Sequence, residues 1–142
     1  MPAFTVGEDC RASILGPYSS TPLDLPMQTT FTVTINQSLI QVQDLDGITN
    51  TRTVVKGPTG TISWARSNNV LDLMAAQMYQ DWMANTPIGM GSITYVISEL
   101  DGTETTVHIP NVSFAIRDIG KFDPMKSVSQ TLAWSGENFT LA

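Results

Sequence analysis

GTISWARSNNVLDLMAAQMYQDW, residues 60–82, changes its apolar period part-way along. Over Thr61–Arg66, Ile62 and Trp64 alternate with polar neighbours, the period-2 signature of a strand with one buried face. Ser67, Asn68 and Asn69 follow, and such side chains accept hydrogen bonds from the free N–H groups at a helix start. Asp72 falls in the first turn, where the helix dipole favours negative charge. Leu71, Met74, Ala75, Met78 and Trp82 then recur at i, i+3, i+4, i+7 and i+11, a single apolar stripe on a helix over residues 69–84. Asn85-Thr86-Pro87 ends it. The stripe reads as a core face, because Met and aromatic side chains at helical spacing fill cores far more often than they bind cofactors.

On either side of this stretch the period is 2. Downstream, Ile93, Tyr95 and Ile97 share one face of a strand over Gly91–Leu100, and Asp101-Gly102 is a hairpin turn signal. Thr105, Val107 and Ile109 alternate on the return strand, which Pro110 is expected to interrupt. Val112, Phe114 and Ile116 mark the next strand, and Gln130, Leu132 and Trp134 a last one over Val128–Trp134. Upstream, Phe31, Val33 and Ile35 alternate over Thr30–Asn36. Ile40 and Val42 follow in Leu39–Leu45, and Asp46-Gly47 is a second turn signal. Residues 43–60 read as a long polar loop or a projecting hairpin through Thr51–Lys56; loops of such length are usually functional or ordered by a partner. Residues 1–28 read as an irregular N-terminal arm, broken by Pro2, Pro17, Pro22 and Pro26 yet too apolar for a disordered tail. The expectation is one domain over residues 1–142, mainly β with one α-helix.

At 142 residues the chain is long enough for a hydrophobic core. Charged residues make up 14%, against about 25% in an average soluble domain. Thr, Ser, Gln and Asn take their place, and such a surface is cheaper to desolvate against another chain than an ionic one. Net charge is −6, which argues against affinity for nucleic acid, since that rests on Lys and Arg neutralising phosphates. A single cysteine, Cys10, permits no internal disulfide and fits a reducing compartment. Residues 1–10 show no secretory signal pattern, and no apolar run is long enough for a membrane span.

Catalytic and metal-binding patterns are missing. His108, the single histidine, falls on the polar face of its strand, with no triad or nucleophile-elbow pattern around it. One His and one Cys far apart supply no metal ligand set. Cys10 beside Arg11 is a candidate for a lowered thiol pKa, but no base accompanies it, and such a cysteine is more often a small buried residue. Asp46 and Asp101 are turn residues before Gly, and Asp44 and Glu104 make no cleft pair. Gly57-Pro58-Thr59-Gly60 lacks the Lys of a phosphate loop. No catalytic residue, cofactor or metal is expected.

The order of elements resembles the tail tube proteins of long-tailed, above all contractile, bacteriophages, a fold shared with the tube of type VI secretion systems. Three stretches carry the resemblance: GTISWARSNNVLDLMAA (60–76), GSITYVISELDGTETTVHIPNVSFAI (91–116) and VSQTLAWSGENF (128–139). It implies a small antiparallel β-barrel, or two packed sheets, flanked by a single helix. It further implies a structural virion protein whose copies form stacked, hexameric rings around a conduit for genome ejection, assembled in the host bacterial cytoplasm. Partners would be other copies of the chain and, in a contractile tail, sheath, tape measure and baseplate proteins; DNA would pass the lumen without specific binding, and no membrane is involved. Ring stacking is assigned to the arm and the 43–60 segment, with Phe4, Asp44, Asp46, Arg52 and Lys56 as its residues. The alternative is a non-enzymatic β-sandwich that binds a ligand.

Overall fold

The computed structural model describes residues 10–18, 21–23 and 28–141. Its elements are β1 (Cys10–Leu15), β2 (Gln28–Phe31), β3 (Thr34–Gln43), β4 (Thr49–Ala65), α1 (Val70–Met83), β5 (Gly91–Ser98), β6 (Glu104–Asp118), β7 (Ser129–Ser135) and β8 (Thr140–Leu141). Every ladder is antiparallel, in the order β1-β5-β6-β7-β4-β2, with β3 added to β4 and β8 to β6.

Two sheets arise because β6 serves both. Its first half pairs with β5, from Glu104 opposite Ser98 to Val112 opposite Gly91. Its second half pairs with β7, from Ser113 opposite Ser135 onwards. Between them, Asn111 takes a left-handed conformation, φ 51°, which Asn tolerates better than most residues. Pro110 therefore does not break the strand, as its sequence position suggested. It stands at a bend within one 15-residue strand, where the chain passes from one sheet to the other.

The inner faces of the two sheets meet. Ile62 and Trp64 of β4, Leu132 and Trp134 of β7, Val112 and Phe114 of β6, and Ile93 and Tyr95 of β5 are all buried there. Phe31 of β2 packs edge-on to Tyr95 at 5.3 Å between ring centroids and stacks on Trp134 at 6.2 Å, so it joins both sheets. The architecture is two packed sheets and not a closed barrel. Its end strands β1 and β2 meet through one side chain, Gln28 Nε2 donating to the Ala12 carbonyl at 3.0 Å, where closure would need a ladder.

The expected irregularity of residues 1–28 is corrected at Cys10–Leu15. These residues form an edge strand on β5, with Ile14 buried and Cys10 and Ala12 half-buried against the core. Alternation there uses the small residues Cys and Ala, which carry little apolar signal in sequence.

Helix α1 is held at both ends. Asn68 Oδ1 accepts the Val70 N–H at 3.2 Å. At the other end Asn85 is left-handed, φ 56°, with the Asn85 N–H on the Trp82 carbonyl and the Thr86 N–H on that of Asp81, a Schellman arrangement with Asn in place of Gly. A polar chain, buried at Trp64 and Gln130 and half-exposed at Asp72 and Arg66, ties the helix to the sheet. Trp64 Nε1 donates to Gln130 Oε1 at 3.1 Å, Gln130 Nε2 donates to Asp72 Oδ1 at 3.2 Å, and Asp72 pairs with Arg66 at 2.6 Å. Gln130 is 1% exposed, and both ends of its amide are satisfied, as a buried amide requires.

Leu71 and Met74 are buried, and Ala75 and Met78 are half-buried. Trp82, expected on the same core face, is 72% exposed. The helical period keeps Trp82 in line with the stripe, but the last turn of the helix overhangs a groove and finds no layer to pack on.

Candidate assembly interface

β4 is 17 residues long, and β7 accompanies only its second part, Thr59–Ala65. Its first part pairs with β3 alone, from Thr49 opposite Gln43 to Lys56 opposite Asn36. The segment 43–60 is thus the tip and outgoing strand of a two-stranded ribbon that leaves the body. Among the described residues no layer covers either face of the ribbon. One carries Ile40 beside Arg52 and Val42 beside Asn50; the other carries Leu39 beside Thr53 and Gln37 beside Val55. Ile40, Val42, Leu39 and Val55 are exposed, Leu39 at 74%. A bare ribbon of this kind is marginal by itself in water, and exposed aliphatic side chains along it are a surface for association.

The ribbon is anchored at its base. Ile35 lies in a register shift between Thr34 and Asn36, where Asn36 Nδ2 donates to the Gly57 carbonyl at 3.0 Å and to Thr59 Oγ1 at 3.1 Å. The Gly136 N–H donates to the Pro58 carbonyl at 2.8 Å. A side chain at Gly57 would collide with the Gly136 carbonyl oxygen, so only glycine lets these backbones approach.

At the tip, Asp44 Oδ1 accepts the N–H groups of Asp46 and Ile48 at 3.0 and 2.9 Å, and Gly47 supplies a φ of 80°. Asp44 is therefore occupied in shaping the turn. Asp46 and Leu45 stand at the apex, Leu45 fully exposed. Arg52 and Lys56 lie along the shaft on one face, because opposed and alternate residues share a face. The structure thus brings Asp44, Asp46, Arg52 and Lys56 onto one projection. Phe4 lies outside the described residues.

A second uncovered apolar surface went unnoticed in the sequence. A groove of about 510 Å³ runs between α1 and the end of β6, lined by Met78, Trp82, Ile88, Ile116, Arg117 and their neighbours. Arg117 enters it at a register shift between Ile116 and Asp118, a bulge that re-aims its side chain. The overhanging Trp82 is its far wall.

The chemistry-bearing residues are accounted for locally. His108 Nδ1 lies 3.0 Å from Thr94 Oγ1, its cross-strand partner. Burial pushes the Cys10 thiol up, because removal from water disfavours the thiolate, and Cys10 is a small residue half-buried against the core. Among the described residues no group of three or more His, Cys, Asp or Glu could hold a metal ion, and no helix is long and apolar enough to cross a membrane.

Neither a protein-family profile nor a curated sequence matches the chain. Solved structures do. The tube-terminating cap of the anti-feeding prophage superposes with TM-score 0.60 at 16% identity, over 100% of this chain and 93% of that one. This chain has the phage tail-tube fold. The sheath–tube complex of an extracellular contractile injection system in its extended state gives TM-score 0.57 at 15% identity, covering 93% of this chain and 88% of that one. The SPP1 tail tube gives 0.51 at 11% identity, covering 96% and 78%. The likeness in fold covers 93% or more of this chain in each case, at identities of 16% or less.

Proposed function

We infer that this protein is a structural subunit of a tail-like tube, its copies closing into hexameric rings that stack into a hollow filament. The bare β3–β4 ribbon carries this reading. In the tail-tube fold, a two-stranded projection with aliphatic side chains exposed on both faces has no stabilising role inside its own chain and needs a neighbour. Head-to-tail contacts that do not close on themselves generate open filaments. The solved neighbours include a sheath–tube complex and a baseplate, which supports a sheath around the tube and a baseplate at its end; a tape measure protein inside it completes the contractile-tail reading. The net charge of −6 suits a conduit whose wall repels phosphates and lets a genome slide. The resemblance to a tube-terminating cap favours a second reading, a terminator of the same fold.

Negative-stain electron microscopy of the purified chain at high concentration separates them. Hollow tubes of uniform diameter are the expected result. Rings that never stack would make the chain a terminator, and a ligand-binding monomer at every concentration would defeat both readings. Replacing Gln37–Val55 by an Asn-Gly turn joins the paired residues Asn36 and Lys56 through a two-residue hairpin loop. That variant is expected to fold and to stop growing; normal tubes from it would remove the ribbon from assembly.

A further inference from the structure

We propose that the groove between α1 and the end of β6 is the receptor for the ribbon tip of a second copy of this chain, Leu45 entering it and Asp46 pairing with Arg117. The proposal rests on the tube reading and names the contact that would make it grow.

Position is the first argument. β4 begins at the ribbon tip and ends at Ala65, from which the chain turns into α1. β4 and β6 both run antiparallel to β7, so they are parallel to each other, and Ile116 stands level with Leu132 and Ile62. The groove is therefore at the end of the sheet away from the tip. Thirteen residues of strand separate Thr49 from Ile62, roughly 40 Å at the usual rise. A knob and a hollow at opposite ends of one molecule cannot satisfy each other within it. Between copies they make a heterologous contact, which propagates along an axis.

Complementarity is the second. The apex presents one fully exposed Leu and one carboxylate with no partner among the described residues. The groove presents apolar walls, the Arg117 guanidinium, unpaired in any salt bridge among the described residues, and the carboxylate of Asp118 beside it. The nearby carboxylates are already engaged. Asp118 Oδ1 accepts the Gly120 N–H at 2.9 Å, and Asp81 accepts from Tyr18 Oη and Gln77 Nε2. Arg117, in no ion pair among the described residues, is the cation that a tip carboxylate would meet, and its planar fork suits one. Docking also explains why Trp82, 72% exposed, sits on the same stripe as buried residues: it completes its burial against a neighbour.

Charge exchange tests the contact. Asp46→Lys and Arg117→Glu are both surface changes, so each variant should melt like the wild type by circular dichroism and still form rings. Each alone is expected to lose tubes, because like charges then face each other across the contact. Mixed together, the two variants should grow tubes again. At every other ring junction the lysine introduced at the apex meets the glutamate introduced in the groove, and at the junctions between, the unaltered Asp46 meets the unaltered Arg117. Leu45→Asp should arrest growth and gain nothing from mixing. Wild-type tubes with undisturbed growth in all three variants would overturn the docking site and leave the tube reading standing, as would arrest of the single variants without rescue on mixing. Failure of the wild type to form rings or tubes at any concentration would instead remove the tube reading and the docking site with it.

Discussion

Strands β3 and β5 have nearly the same sequence pattern and opposite fates. Ile93 and Tyr95 alternate along β5 and are 0% and 7% exposed; Ile40 and Val42 alternate along β3 and are 49% and 58% exposed. Both strands lie in antiparallel ladders, β3 on β4 and β5 between β1 and β6. The difference lies in the layer above. β5 faces β2 and β7 across the core, with Phe31 on Tyr95, whereas the ribbon has left the body and faces no other described element. Alternation encodes a strand with an apolar face, and it says nothing about which molecule supplies the covering layer.

The contrast can be broken most sharply by truncating one leucine in the body, on β7, and one on the ribbon. Leu132→Ala, at 0% exposure, should lower the unfolding free energy by about 2–5 kcal/mol, a large part of the whole for a single domain. Leu39→Ala should change it by about 0.5 kcal/mol or less while weakening assembly. Urea denaturation of unassembled protein reads both, and equal losses would show that the ribbon is covered within its own chain.

The helix repeats the contrast in miniature. Met78→Asp puts a charge against the body and should cost about 2–3 kcal/mol in the same assay. Trp82→Asp, one turn on, should leave the midpoint unchanged and affect only tube formation. A collapsed midpoint for Trp82→Asp would return that residue to the core.

A smaller loss, about 1–2 kcal/mol, is expected for Gln130→Leu, which strands the Trp64 indole N–H and one Asp72 oxygen without partners. The helix should loosen before the sheet does, visible as faster amide exchange over α1 than over β7.

The smallest effect concerns a hairpin inside the body. Asp101 accepts from both the N–H and the hydroxyl of Thr103, at 3.0 and 2.6 Å, and the side-chain and then the backbone hydrogen bond hold its carboxyl below the ordinary carboxylate pKa. A depressed pKa means that the folded state binds the proton less readily than the unfolded one. The contribution is present above the ordinary carboxylate pKa and is lost as pH falls through the lowered value. The Asp101 side-chain carboxyl resonance should titrate below that of a model aspartate, and Thr103→Val should bring it back up.

Much of this fold could be read along the chain, because the signals were local. The change of period between Ile62 and Leu71, the Asn-rich helix start and the two Asp-Gly turns each act within a few residues, and the structure places strand, helix and hairpins there. Cys10–Leu15 escaped because an edge strand built on Cys and Ala carries almost no hydrophobic contrast. Pro110 misled because a proline that ends a strand and one that bends a strand between sheets look alike without the partner strands. Of the candidate interface, the charged residues of the ribbon were legible as an unusually long polar segment. The groove was not, since Met78 and Trp82 come from α1, Ile88 from the loop after it, and Ile116 and Arg117 from β6, more than thirty residues beyond α1.

The sequence by itself determined the class: mainly β, one helix, no catalytic constellation, and a resemblance to tail tubes resting on the order of elements. Periodicity and turn chemistry are properties of neighbouring residues, so they survive in one dimension. Only the tertiary structure decided that the sheets stay open, that β4 outruns the body as a bare ribbon, and that the helix stripe passes from core to surface at Trp82. Each of those depends on where a second layer ends, and the end of a layer is set by residues far away along the chain.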